Sequence, residues 1–297
     1  MNPRAPAHRI DGILLASAGA IAFSGKAIIV KLAYRYGVDA VTLIMYRMLF
    51  ALPLFVALSW WAGRDKPRLS GADLRLLGGL GFSGYYLASF LDFSGLEYIS
   101  ANLERLILYL NPTFVLAIGA VLFHTPVTGK QCIALLVSYV GVCVVFGHDV
   151  TVVGPHVALG SLLVLASAIS YATYLVFSGQ AVKRLGAIRI TGVASSIACV
   201  LCIAQFFILR SPSAMIVAPQ VIGLSVLNAT LCTVLPVLLV MVAIERVGAS
   251  VAAQAGIIGP LSTIFMSVLI LGEPFTGWLA AGTVLVLLGI WLLARWK

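Results

Sequence analysis

Long apolar runs separated by short polar breaks fill nearly the whole 297-residue chain. A helix that crosses a bilayer needs about 20 mostly apolar residues. Ten runs answer to that description, near 11–33, 40–61, 73–97, 101–123, 128–147, 157–180, 188–210, 217–244, 250–271 and 275–294. They are continuous rather than alternating residue by residue, which favours helices over a barrel. The longest breaks are 62–72, with Gly63, Pro67 and Gly71, and 148–156, with Gly154 and Pro155.

The pattern repeats. Pro112 and Pro260 lie 148 residues apart, as do Pro126 and Pro274, Thr128 and Thr276, Gly129 and Gly277, and Gly141 and Gly289. Gly12, Leu14, Leu15, Ala18, Ala20 and Ile21 pair with Gly160, Leu162, Leu163, Ala166, Ala168 and Ile169 at the same spacing. A fixed internal period in so apolar a chain marks a duplicated unit, the build of many secondary transporters. The units expected are 11–147 and 157–294, joined by an external loop at 148–156.

Composition agrees with a lipid-embedded chain. Hydrophobic residues make up 61% and charged residues 10%, against about 25% charged in a soluble domain. The net charge of +9 does not form a dense patch, so nucleic acid is not an expected partner and the basic residues read as topology signals. With the amino terminus inside, the inner segments hold Arg4, Arg9, Arg64, Lys66, Arg68, Arg75, Lys130, Lys183, Arg184, Arg189, Arg246, Arg295 and Lys297. The outer segments hold Lys31, Arg35, Arg105 and Arg210. Both termini are therefore expected in the cytoplasm. Five spans per unit is an odd number, so the second unit enters the membrane upside down. The expected fold is all-α, ten transmembrane helices as two inverted five-helix repeats around a central cavity. No small-residue cleavage site follows the amino terminus at signal-peptide distance, so the first helix is expected to stay. Cys199 and Cys202 read as two helical neighbours rather than a metal or redox pair. No metal pair, nucleophile–base arrangement or phosphate loop stands out, and no cofactor or enzymatic activity is expected.

Charges inside spans carry the candidate chemistry. Each costs about 2.5–3.5 kcal/mol at a helix centre unless partnered or wetted. Lys26, Arg47 and Asp92 lie within spans, and Glu104 opens the fourth at the same outer face. Arg47 and Glu104 are expected in structural ion pairs. Lys26 is expected to face the cavity, where a lone ammonium suits a substrate carboxylate. Polar and aromatic stripes mark an interior: Phe82, Tyr85, Ser89 and Asp92; Asn102, Tyr109 and Thr113; Ser167, Ser170, Tyr171, Tyr174 and Ser178; Asn228, Thr230 and Thr233; Gln254, Ser262 and Thr263. Substrate contacts are expected from Lys26, Tyr85, Ser89, Asp92, Tyr109, Tyr171, Tyr174, Asn228, Gln254 and Ser262. Pro112 and Pro260 are expected to act as paired hinges. Pro236 adds a break in the eighth span that is expected to have no counterpart in the third.

Certain segments carry a family resemblance: TLIMYRMLFALPL around Arg47, EYISANLERLILYLNPTF, ERVGASVAAQAGIIGPLSTIF, and LGEPFTGW with Gly272, Glu273 and Pro274. With the duplicated pattern, they resemble the drug/metabolite transporter superfamily in its ten-span, EamA-type metabolite-exporter branch, and within it the bacterial aromatic amino-acid exporters. The first unit departs from the Gly-Glu turn, reading FHTPVTGK with His124 and Thr125. The resemblance implies export of amino acids or similar small metabolites by alternating access, in a bacterial inner membrane. A proton-driven multidrug exporter is the alternative, although span 1 carries Lys26 and no acid. A lipid flippase or membrane enzyme is the second. The implied partners are a small-molecule substrate and the bilayer; a monomer fits, and the sequence does not fix the oligomeric state.

Overall fold

The computed structural model describes residues 6–64, 66–124, 126–153, 156–247, 255 and 258–295. Among these residues there are helices and no strands. The helices are α1 (Pro6–Tyr34), α2 (Ala40–Gly63), α3 (Gly71–Gly81), α4 (Ala88–Leu96), α5 (Ala101–Leu108), α6 (Asn111–Phe123), α7 (Gly129–Val153), α8 (His156–Leu185), α9 (Ala187–Leu209), α10 (Pro219–Ala229), α11 (Leu235–Val247), α12 (Ile258–Met266) and α13 (Gly277–Arg295). Side-chain oxygens start several of them. Asp39 accepts from the Val41 and Thr42 amides at α2, Ser70 and Asp73 form a capping box at α3, and Ser100 accepts from Leu103 at α5.

Among the described residues, seven helical stretches are long and apolar enough to cross a membrane: Asp11–Tyr34, Ala40–Gly63, Ala101–Phe123, Gly129–Thr151, His156–Val182, Ala187–Leu209 and Pro219–Val240. Shorter apolar helices cover Ile258–Leu271 and Gly277–Leu293. The remaining expected span falls on α3 and α4, joined by a π-helical turn at Phe82–Leu87.

The duplication is visible in backbone detail. The π turn at Phe82–Leu87 has its counterpart at Thr230–Val234, between α10 and α11. The expectation that the break near Pro236 is peculiar to the second unit is thereby corrected. Pro236 has no amide to donate to the preceding turn, whereas in the first unit hydroxyls of α8 serve the equivalent region: Ser170 donates to the Ser83 carbonyl and Ser167 to that of Ala88. Both units also end a helix in left-handed backbone, at His124 (φ 53°) and Gly272 (φ 73°). His124 thus takes the same left-handed backbone as Gly272 despite the sequence departure.

Helix partners follow the same exchange. α1 packs on α11 and α12, while its counterpart α8 packs on α4 and α6. α2 packs on its own counterpart α9, and α7 on its counterpart α13. The α7–α13 crossing is close because glycines face backbone. A Cβ at Gly141 would stand 2.7 Å from the Gly282 carbonyl oxygen, and one at Gly289 2.6 Å from that of Ala134. Small residues allow this approach, which drives helix association in lipid through packing.

Candidate functional site

A cavity of about 530 Å³ lies between α1, α2, α4, α8, α9 and α11, with α5 and the start of α6 along one side. Its walls run to Val182, Ala187 and Ile190 at one end. Beyond Lys26 and Asp92, the helices are tied together by backbone-directed contacts. Lys31 Nζ donates to the Leu96 and Ile99 carbonyls (3.1 and 2.9 Å). The Glu273 carboxylate accepts from the Ala101 amide (2.9 Å) and the Asn102 side chain (2.8 Å), thereby capping α5. Burial raises the pKa of Glu273 above the ordinary carboxylate value, with the Ala101 hydrogen bond pulling the other way.

The buried charges converge beside this cavity. Lys26 Nζ lies 2.5 Å from Asp92 Oδ2 and 3.3 Å from Glu104 Oε1. Lys26 and Asp92 line the cavity, and Glu104 behind them is fully buried. The expectation of a lone Lys26 ammonium is corrected: three helices, α1, α4 and α5, each contribute one member of an ion cluster. The physical reason is cost. An unpaired ammonium in a dry interior is far dearer than one held by a carboxylate.

Arg47 is also a correction. It makes no ion pair among the described residues; its Nη2 donates to Ser89 Oγ (2.8 Å) and its guanidinium lies 4.6 Å from the Phe93 ring centroid. Arg105 was expected in an outer segment. It is instead buried in α5 and lines the cavity. Its Nε donates to Thr263 Oγ1 (2.9 Å), and one terminal nitrogen reaches the Phe23 carbonyl (3.3 Å). A planar guanidinium keeps further donors in a fixed fork. Around one cavity there are thus three cations and two carboxylates, and two of the cations are arginines with no acid bound among the described residues.

Part of the lining is aromatic. Tyr171 and Tyr174 stack at 5.6 Å, and Tyr85 meets Tyr174 edge-on at 5.1 Å with the hydroxyls 3.3 Å apart. Any side chain at Gly84 would run into the Tyr174 ring, so only glycine lets it pack there. Lys26, Tyr85, Ser89, Asp92, Tyr109, Tyr171 and Tyr174 all line the cavity.

Other expected contacts do not. Asn228 is fully buried away from the lining. Ser262 donates to the Ile258 carbonyl of its own helix and stays outside; its neighbour Thr263 is the one turned inward. Gln254 lies outside the described residues. Pro112 stands in the first turn of α6, after the chain breaks at Tyr109 and Leu110. Its missing amide falls at that break within the span. Asn111 and Gly259, the residues before the two prolines, reach the cavity.

One signal in the sequence would have found the lining. Residues 148 apart line it together: Phe23 with Tyr171, Lys26 with Tyr174, Arg47 with Ser195, Tyr85 with Thr233, Asp92 with Val240, and Asn111 with Gly259. Each unit thus supplies the same positions to one shared space.

The profile of the EamA-like transporter family matches residues 10–147 and again 158–295. An uncharacterized transporter of Bacillus subtilis strain 168, YcbK, is 31% identical over 88% of this chain and 86% of its own length. A second from that organism, YoaV, is 23% identical over 82% of each chain. A solved crystal structure of another protein superposes with a TM-score of 0.65, covering 96% of this chain and 99% of that one at 16% identity, a likeness of fold alone. Two consecutive family units, matched at the spacing read from the prolines, make this chain a member of the EamA-like transporter family, within the drug/metabolite transporter superfamily.

Proposed function

We propose that the protein is a ten-span exporter of amino acids, or of similar small metabolites with a carboxylate and a bulky apolar or aromatic group. Its two five-helix halves are inverted relative to each other and alternate access to the central cavity. The observation that carries the substrate reading is the pairing of acid-free Arg105 and Arg47 with a tyrosine wall across one cavity. Arg105 receives the carboxylate, which a guanidinium binds in a forked geometry. Tyr171 and Tyr174 receive the side chain. Asp92 is the acid nearest the cavity for an ammonium. Withdrawing Arg105 from the outer segments leaves only Lys31, Arg35 and Arg210 there, which supports cytoplasmic termini in an inner membrane. In that orientation the end held by Lys31 and Glu273 is external, and the described conformation faces the cytoplasm.

Counterflow tests this reading. Proteoliposomes preloaded with one unlabelled amino acid should take up its labelled form, with phenylalanine, tryptophan or leucine exchanging faster than glycine. Exchange of none of the amino acids, with lipid scrambling in the same vesicles, would replace the reading with a flippase.

A further inference from the structure

The duplication gives each surface junction a twin. The α2–α3 connection meets the α8–α9 turn at one end of α2. The 148-residue spacing maps the two onto the α9–α10 connection and the α1–α2 turn, at the other end of α2. Residues 60–75 and 182–190 carry seven cations and two acids. The matching 208–223 and 34–42 carry two cations, Arg35 and Arg210, and one acid, Asp39. The shared backbone therefore does not require the added cations.

Both junctions are tied across the units. At the sparsely charged one, Tyr46 donates to the Met215 carbonyl (2.7 Å) and Arg210 pairs with Asp39 (3.1 Å). At the basic one, Arg189 of the second unit donates to the Pro67 carbonyl (2.8 Å), and Lys66 of the first donates to the Leu185 carbonyl (3.3 Å). Lys66 Nζ occupies the space that a side chain at Gly186 would fill. Each of these bonds uses one donor, and an ammonium or guanidinium carries several. Arg64, Arg68 and Arg75 lie exposed on the same connection and the start of α3. Among the described residues the acid at this junction is Asp73, and Arg184 pairs with it.

Cations gathered on one seam repel one another, and an anion between them offsets that repulsion. Trp60 and Trp61 are exposed at the end of α2, and aromatic residues of this kind mark the headgroup level of a bilayer. The cations follow directly, which sets them at the depth of the phosphates. Basic clusters beside a span attract anionic headgroups, and the oxygens of a phosphodiester match a guanidinium fork. A topology signal accounts for the side of the membrane that these cations occupy. It does not account for cations of both units laid over one seam by backbone hydrogen bonds.

We propose that the seam between the α2–α3 connection and the α8–α9 turn binds the headgroup of an anionic phospholipid, which joins the two units at that end. Val182, Ala187 and Ile190 of the adjoining helices line the cavity, so the headgroup sits at its rim. The proposal depends neither on the substrate nor on which end faces the cytoplasm.

The test uses the purified full chain in neutral detergent, titrated with phosphatidylglycerol or phosphatidylcholine and followed by its melting temperature. Phosphatidylglycerol should raise that temperature in a saturable way and phosphatidylcholine should not. Arg68→Gln should weaken the phosphatidylglycerol response about fivefold, and Arg64→Gln, Lys66→Gln and Arg68→Gln together roughly 100-fold. Arg35→Gln with Arg210→Gln, at the twin junction, should leave it unchanged. A wild type that responds equally to both lipids would leave the cations as topology signals and overturn the proposal. So would equal weakening by the changes at the two junctions, which would make the response one of overall charge. If the triple variant does not insert, Arg68→Gln alone decides, because that side chain is exposed and its loss removes a charge without a packing contact.

Discussion

The two halves of the cavity wall share a backbone and differ in chemistry. The first unit supplies Lys26, Arg47, Asp92, Glu104 and Arg105. At the matching positions that line the cavity the second carries Tyr174, Ser195 and Val240. The π turns, the left-handed helix ends and the α7–α13 crossing are nonetheless repeated. Packing keeps glycine on both sides where a close approach in one unit has its mirror in the other, as Gly12 with Gly160 and Gly141 with Gly289. A side chain facing an open cavity carries no such constraint and is free to diverge. In the function proposed above, a symmetric frame with an asymmetric wall would hold a substrate in one orientation, its charged end toward the first unit.

The largest expected contrast is in stability. Lys26→Met strands two buried carboxylates, a loss of about 3–5 kcal/mol, whereas Tyr174→Phe at the matching position should cost about 0.5–1.5 kcal/mol for one hydroxyl contact. Thermal unfolding in detergent compares them. Adding Asp92→Asn to Lys26→Met should recover part of the loss, a coupling that independent sites would not show. Equal destabilisation by Lys26→Met and Tyr174→Phe would mean the charged half is no more tightly knit than the neutral one.

A smaller contrast is in affinity. Arg105→Gln should weaken phenylalanine binding by about 2–5 kcal/mol, roughly 30-fold or more, and phenylalaninamide binding far less, since the amide has no carboxylate to lose. Equal weakening of both would make Arg105 a partner of Thr263 and nothing more. The smallest effect belongs to the neutral wall. Tyr171→Leu removes an aromatic contact of about 0.5–1.5 kcal/mol, so phenylalanine affinity should fall roughly twofold to tenfold while valine affinity stays put. Loss of both to the same degree would place the side chain elsewhere.

The sequence made much of this legible, but unevenly. Ends of helices and the repeat were readable because Pro, Gly, Ser and Asp act locally, as Asp39, Ser70 and Ser100 do at their helix starts. The charges inside spans were readable because lipid makes each one an exception. Their partners were not. Lys26 meets Asp92 across 66 residues and Arg105 meets Thr263 across 158, distances over which helix rotation decides what touches what. Arg105 looked like an outer-loop charge because it follows a polar break by only one turn. Ser262 looked as good as Thr263, since adjacent residues in a helix differ in direction by about 100° and nothing local says which faces in. The cavity lining would have emerged from applying the 148-residue spacing to polar positions as well as to prolines and glycines.

The central claim is that one cavity takes an amino acid with its charged end on the first unit and its side chain on the second. A structure of the protein with L-phenylalanine bound tests this most directly. The account predicts the carboxylate within hydrogen-bonding distance of Arg105, the ammonium beside Asp92, and the phenyl ring against Tyr171 and Tyr174. A ligand bound outside the cavity, or with its ring beside Lys26 and its carboxylate among the tyrosines, would contradict it.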